Sequence, residues 1–191
     1  MKLILLGAPG AGKGTQAEIL CERLNIPTIS TGNMIREAMK SGTEMGLKAK
    51  AFIEAGQLVP DEVVIGIVKE RLGEADCKNG FILDGFPRTI AQAEALKKML
   101  AERGHDMGIM VELIVEEDVL MARLLNRAIE QGRADDNEET IKKRFAVYHS
   151  QTAPLSEWFE KEGMRNTFLW AENPSKEAML EAIYKVIDEN N

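Results

Sequence analysis

Lys13 stands at the centre of the residues that could do chemistry in this chain. It closes a glycine-rich run, Gly7 to Gly12, and is followed by Gly14 and Thr15. Ahead of the run lies a short apolar stretch, Leu3 to Leu6, of the kind that forms a strand buried on both faces. Behind it, Gln16 to Leu24 has a helical pattern. Strand, glycine loop, lysine and helix together make a cradle for phosphate. Glycines let backbone N–H groups approach the oxygens, the helix N-terminus adds partial positive charge, and Lys13 adds a full one. The general pattern places Ser or Thr directly after the lysine; here Gly14 holds that place and Thr15 comes one later.

A second chemical stretch is FILDGFPR, Phe81 to Arg88. Asp84, at the end of an apolar run, can hold Mg2+ near phosphates, chiefly through water. Gly85 allows close backbone approach, and Arg88 offers a planar fork for phosphate oxygens. Further arginines could surround the same site: Arg36, Arg123, Arg127, Arg133 and Arg144. Arg123 and Arg127 are four apart and share a helix face. Phosphoryl transfer depends on positioning and charge stabilisation more than on a covalent nucleophile, which suits such a set. Arg23, Arg71, Arg103 and Arg165 read as solvated surface residues. His105 and His149 belong to no motif and receive no catalytic role. Cys21, Trp158 and Trp170 read as packing residues.

These residues need a scaffold. Besides the first strand, Pro27–Ser30, Phe81–Leu83, Met110–Val115 and Thr167–Trp170 read as strands. Helical patterns alternate with them at Asp61–Leu72, Ile90–Arg103, Asp118–Ile129 and Ser175–Glu189, the last with Ser175 as N-cap just after Pro174. Asn137–Glu162 reads as one long charged helix, bent near Pro154. Five strands alternating with helices predict an α/β fold with a parallel sheet flanked by helices, in which ligands bind outside the carboxyl ends of the strands. Two stretches interrupt the alternation. Between Ser30 and Pro60 there are two helical patterns, Gly32–Met39 and Thr43–Ala55, with no strand, which predicts a helical insertion. Between Asn126 and Asn137 the chain is polar and reads as a loop joining two helices.

Composition narrows the partners. The 191 residues suffice for one core. The net charge of −7 argues against nucleic acid or an anionic membrane as the main partner. Two isolated cysteines, Cys21 and Cys77, with no CxxC pair, argue against a metal site and suit a reducing compartment. No apolar run reaches the roughly 20 residues of a membrane span, and the start is unlike a signal peptide. The expected location is the cytoplasm.

The chain resembles the adenylate kinase family of nucleoside monophosphate kinases over essentially its whole length. The motifs that carry the resemblance are GAPGAGKGT (7–15), STGNMIR (30–36), QLVP (57–60), DGFPRTIAQ (84–92) and GRADDNEETIKKR (132–144). The family habitually has glycine after the lysine, so Gly14 is a family mark. The resemblance implies a P-loop NTPase-type sheet of five strands in a single kinase domain. Its core would be 1–29, 60–125 and 137–191, with a monophosphate-binding insertion over 30–59 and a short lid over 126–136. It implies reversible transfer of the γ-phosphoryl group of Mg-ATP to AMP, giving two ADP. Gly10, Ala11, Gly12, Lys13, Gly14 and Thr15 would wrap the ATP phosphates, with Arg123 against the ATP adenine and Arg127 on its phosphates. Thr31, Arg36, the Gln57–Leu58–Val59 backbone, Gly85, Phe86, Pro87, Arg88 and Gln92 would bind AMP. Arg133 and Arg144 would bridge the nucleotides, and Asp84 would hold Mg2+ through water. The short lid lacks the cysteines of the zinc-binding form, so no structural zinc is expected, and a monomer is the family's expectation. Thr31 and Gln92 favour AMP over pyrimidine monophosphates. The alternatives are a UMP/CMP kinase or another small-acceptor P-loop kinase, a GTPase-type switch, for which no NKxD motif is present, and a scaffold that has lost catalysis.

Overall fold

The first strand, β1 (Lys2–Gly7), fixes the frame, and its burial explains the unbroken apolar run. In the computed structural model, which describes residues 1–163 and 175–190 in full and 166–171 as backbone, Leu3 and Leu5 face one side of the sheet and Ile4 and Leu6 the other, all essentially inaccessible to water. Four parallel strands join it: β2 (Thr28–Ser30), β3 (Phe81–Asp84), β4 (Ile109–Val115) and β5 (Asn166–Ala171), in the order β2-β3-β1-β4-β5. β1 is central, with Leu5 in register with Asp84 of β3 and Gly7 with Leu113 of β4. The carboxyl ends of β1 and β3 therefore lie side by side, and so do the loops that leave them.

Helices cover both faces. On one side α4 (Asp61–Arg71), α5 (Ile90–Ala101) and α8 (Leu155–Lys161) bury Val64, Val68, Leu96, Leu100, Leu155 and Phe159 against Ile4, Leu83 and Met110. On the other, α1 (Lys13–Leu24), α6 (Glu117–Gln131) and α9 (Lys176–Glu189) bury Ala17, Leu20, Leu120, Leu124, Ile183 and Ile187 against Leu3, Leu5 and Val111. The helix α9 is capped as its sequence implies, Ser175 Oγ accepting from Ala178 N. Cys21 and Trp158 pack against the core as expected. Arg165, Pro174 and the Trp170 side chain lie outside the described residues.

The stretch without a strand, between β2 and α4, holds α2 (Thr31–Lys40) and α3 (Glu44–Glu54). They cross so closely that a Cβ on Gly46 would sit 2.2 Å from the Ala38 carbonyl group.

Three readings are corrected. The charged stretch from Asn137 is not one helix: α7 (Glu138–Val147) passes into a π-helical turn, Tyr148–Thr152, and α8 begins only after Pro154. The stretch from Asn126 is not all loop either. Asn126, Glu130 and Gln131 lie on the exposed side of α6, where Asn126 Nδ2 donates to Glu130 one turn on, and the helix runs to Gln131 before Gly132 ends it in a left-handed cap. Arg71 is no freely solvated residue: its guanidinium, mostly buried, donates to both oxygens of Asp76, at 2.8 and 2.7 Å, in a short 3-10 turn, Ala75–Asn79.

Candidate nucleotide site

Gly12 caps α1 with φ +98°, a left-handed conformation costly for any other residue. It supplies no side-chain cap, so the first-turn N–H groups of α1 have no such partner. Among the described residues, α3, α5, α7 and α9 are capped by Thr43, Thr89, Asn137 and Ser175, whereas α2, α4, α6 and α8, like α1, have no side-chain cap. Lys13 turns back over the loop, its Nζ donating to Gly7 O at 2.7 Å and Ala8 O at 3.0 Å. Burial pushes its ammonium down to about 8, helped by Arg88, Arg144 and Arg127 and opposed by Asp84.

Asp84 ends β3 and accepts from Ser30 Oγ at 3.0 Å, tying the ends of β3 and β2 together. At Gly85, φ +76°, a Cβ would press within 2.8 Å of Arg88 Nη2 and 3.2 Å of Thr31 Oγ1. Its carbonyl accepts from Thr31 Oγ1 at 2.8 Å and Arg88 Nε at 2.9 Å. Arg88 is further held from above, Thr152 Oγ1 of the π-helical turn donating to its carbonyl at 2.7 Å. Burial lowers the Arg88 pKa, with Arg144 and Arg133 adding to the effect.

Three arginines converge on two carboxylates. Asp136, with no exposed surface, accepts from Arg127 Nε and Nη2 at 2.6 and 2.8 Å and from Arg144 Nη1 at 2.6 Å. Asp135 accepts from Arg133 Nε and Nη2 at 3.0 and 2.7 Å. Burial alone would raise the Asp135 pKa; the bonds from Arg133 and the charge of Arg144 outweigh it, and the group is held below its usual range. Arg36 on α2, hydrogen-bonded to Asn33 Oδ1, is lowered to about 10 by burial and then by Arg133. Arg88 and Arg127 repel both Lys13 and Arg36, so the glycine loop and the inserted helices address one cluster of positive charge.

One cavity of about 660 Å3, within the usual range for small-molecule sites, holds this cluster. Gly10, Ala11, Gly12, Lys13, Gly14 and Thr15 line it, with Arg123 and Arg127 of α6. So do Thr31, Arg36, Gln57, Leu58, Val59, Asp84, Gly85, Pro87, Arg88, Gln92, Arg133 and Arg144. Phe86 does not: its ring is 1% exposed and packs in the core beside Leu83 and Leu96. The motif drew it in through its neighbours. Sequence reading gave no role to four residues that organise the site. Asp135 and Asp136 read as a polar loop; their neighbour Arg133 is two residues from Asp135, but Arg127 and Arg144 lie nine and eight residues from Asp136, so the pairing showed no helical spacing. Ser30 opens the STGNMIR motif and ends β2, so its place was legible although its bond to Asp84 was not; Asp61, whose Oδ1 accepts from Gln92 Nε2 at 2.8 Å, carried no such signal.

The donors fit a hard cation. Asp84 presents a carboxylate beside the lysine loop, and among the described residues no three His, Cys, Asp or Glu side chains are grouped to hold a metal by themselves. One carboxylate with phosphate oxygens and water is the usual environment of Mg2+.

Residues 5–164 match the family described as "Adenylate kinase". Curated relatives agree. The chain is 56% identical over 163 residues to the adenylate kinase of Phocaeicola vulgatus, covering 85% of this chain and 86% of that one. It is 55% identical to that of Leptospira biflexa, covering 85% and 88%, and 51% identical to that of Thermobifida fusca, covering 86% and 87%.

Proposed function

The chain belongs to the adenylate kinase family, and on that premise we propose how its residues carry the ATP:AMP phosphotransferase reaction. A phosphate oxygen of AMP attacks the γ-phosphorus of ATP, the bond from that phosphorus to the β-phosphate oxygen breaks, and two ADP result. The single observation that carries the residue assignment is the shared cluster: Lys13 and Arg36, from separate segments, face the same arginines in one cavity.

In this reading Gly10 to Thr15 bind the donor phosphates through the α1 N-terminus, and Lys13 follows the migrating group. Arg123 lies against the donor base, and Arg127 reaches its phosphates. The segment 30–59 is the acceptor-binding insertion, with Thr31, Arg36 and the backbone of 57–59 holding AMP, completed by the backbone of Gly85 to Arg88 and by Gln92. Arg88, Arg133 and Arg144 meet the equatorial oxygens of the transferring group, where negative charge is spread in the transition state. Segment 126–136 is the lid; with the insertion it excludes water, which would otherwise accept the phosphoryl group. Asp84 would hold Mg2+ through water, and the ion would neutralise charge on the donor phosphates. The core 1–29, 60–125 and 137–191 keeps these parts in register. Among the described residues no helix is long and apolar enough to cross a membrane.

An acceptor panel tests the reading: with ATP as donor, AMP is expected to turn over far faster than UMP or CMP. Equal rates with a pyrimidine monophosphate would overturn it.

A further inference from the structure

Asp61 is the first residue of α4, and one of its oxygens binds the start of α5. Its Oδ1 accepts from Thr89 Oγ1 at 2.9 Å and from Gln92 Nε2 at 2.8 Å. Thr89 is the N-cap of α5, its hydroxyl oxygen accepting from Gln92 N at 3.2 Å. The other end of the Gln92 amide is also held: Oε1 accepts from the Arg88 backbone N–H at 2.8 Å. Gln92 is 1% exposed and lines the cavity. A carboxylate only accepts and a backbone N–H only donates. These two partners admit one orientation of the amide, nitrogen toward Asp61 and oxygen toward Arg88. Each end then keeps one unused valence, an N–H and a lone pair.

We propose that Asp61 is a positioning residue for acceptor choice: by holding the Gln92 amide in one orientation, it makes the site accept a 6-amino purine and reject a 6-oxo purine. This rests on the reading of Gln92 as the side chain that meets the acceptor base. Adenine presents an amino donor beside a ring-nitrogen acceptor, which match the free lone pair and N–H of the fixed amide. Hypoxanthine presents a carbonyl acceptor and a ring N–H in the same places and needs the amide reversed. Reversal would set the NH2 group against the Arg88 N–H and the carbonyl against the Asp61 carboxylate. Both mismatches would fall at a buried site, where unmatched polar groups are costly. Selectivity of this kind comes as much from the forbidden orientation as from the permitted one.

The test uses the full chain and its Asp61→Ala, Asp61→Asn and Gln92→Ala variants, with ATP saturating and AMP or IMP titrated, and records kcat, KM and melting temperature. Asp61→Ala is expected to raise the AMP KM about tenfold with kcat little changed, and to lower the AMP:IMP ratio of kcat/KM about tenfold, the scale of one lost hydrogen bond. Asp61→Asn, whose Oδ1 can accept the same two bonds, restores both values. Gln92→Ala is expected to raise the AMP KM and erase the preference. If Asp61→Ala leaves the ratio unchanged while Gln92→Ala collapses it, the positioning role is refuted and the Gln92 reading stands. An equal loss with both acceptors and a lowered melting temperature makes Asp61 purely structural and equally refutes it. If Gln92→Ala changes neither the AMP KM nor the ratio, the Gln92 reading and this proposal fall together.

Discussion

Arg127 and Asp136 meet fork to fork, Nε on Oδ2 at 2.6 Å and Nη2 on Oδ1 at 2.8 Å, across the turn from α6 to α7. Arg144 shares Oδ1 at 2.6 Å. One fully buried carboxylate thus sets the angle between two helices and the aim of two arginines.

Removing that carboxylate takes from Arg127 its two-pronged partner and leaves Arg144 only its longer contacts to Asp135. Asp136→Ala is expected to cost about 3–5 kcal/mol of stability, the usual penalty for breaking a buried pair from one side. It is also expected to lower kcat more than tenfold, because Arg127 and Arg144 lose their fixed aim. Urea denaturation and steady-state kinetics check the two effects separately.

Lys13 should give donor binding a pH dependence. Its pKa is pushed down to about 8 by burial, from 10.5. Donor phosphates favour the protonated amine, so binding takes up a proton once the pH exceeds about 8, and affinity falls as pH rises further. For folding the sign is opposite. Between about 8 and 10.5 the unfolded chain holds a proton that the folded chain has released, so the Lys13 contribution to stability rises with pH across that window. Calorimetric titration of ATP above pH 8 in buffers of different ionisation enthalpy should show proton uptake, and Lys13→Met should lack that contribution.

Gly46 tests the inserted helices apart from the rest. A Cβ there would meet the Ala38 carbonyl at 2.2 Å, so Gly46→Ala must force α3 away from α2. Arg36 lies on α2 and Gln57 follows α3, so the AMP KM should rise severalfold while the ATP KM stays nearly constant. Initial-rate kinetics with each substrate varied in turn would show it.

The support above Arg88 gives a milder case. Thr152→Val keeps the shape but removes the donor to the Arg88 carbonyl. The expected loss is about 1 kcal/mol of stability with a severalfold fall in kcat. An unchanged kcat alongside the lost stability would limit Thr152 to a structural role.

How much of this could be read in the chain itself follows from range. The strand, loop and helix around Lys13 are local in sequence, and each residue agrees with its neighbours; β1 and α1 were legible almost to their ends, α1 merely starting earlier, at Lys13. The parallel α/β architecture followed from alternation alone. Asp61 was opaque because an acid in the first turn of a helix is explained by the helix itself, while its partners Thr89 and Gln92 lie 28 and 31 residues away. Asp135 and Asp136 looked like solvated loop residues, and only their arginine partners make their burial affordable. Phe86 misled in the other direction: its motif marks a backbone path, and the ring belongs to the core. The break at Tyr148–Thr152 has neither glycine nor proline inside it to announce it.

Asp135 and Asp136 are joined to their arginines by a few residues of the same chain. They are therefore present at an effective concentration that no dissolved monovalent anion can match. Chloride or a stray carboxylate gains too little from one guanidinium to displace a two-pronged partner that never diffuses away. A polyphosphate differs, since it can engage Lys13 and several arginines at once and so compete by the same multivalent logic. Under the proposed roles of these arginines, the acidic pair would set an entry threshold that an anion with many oxygens is best able to cross.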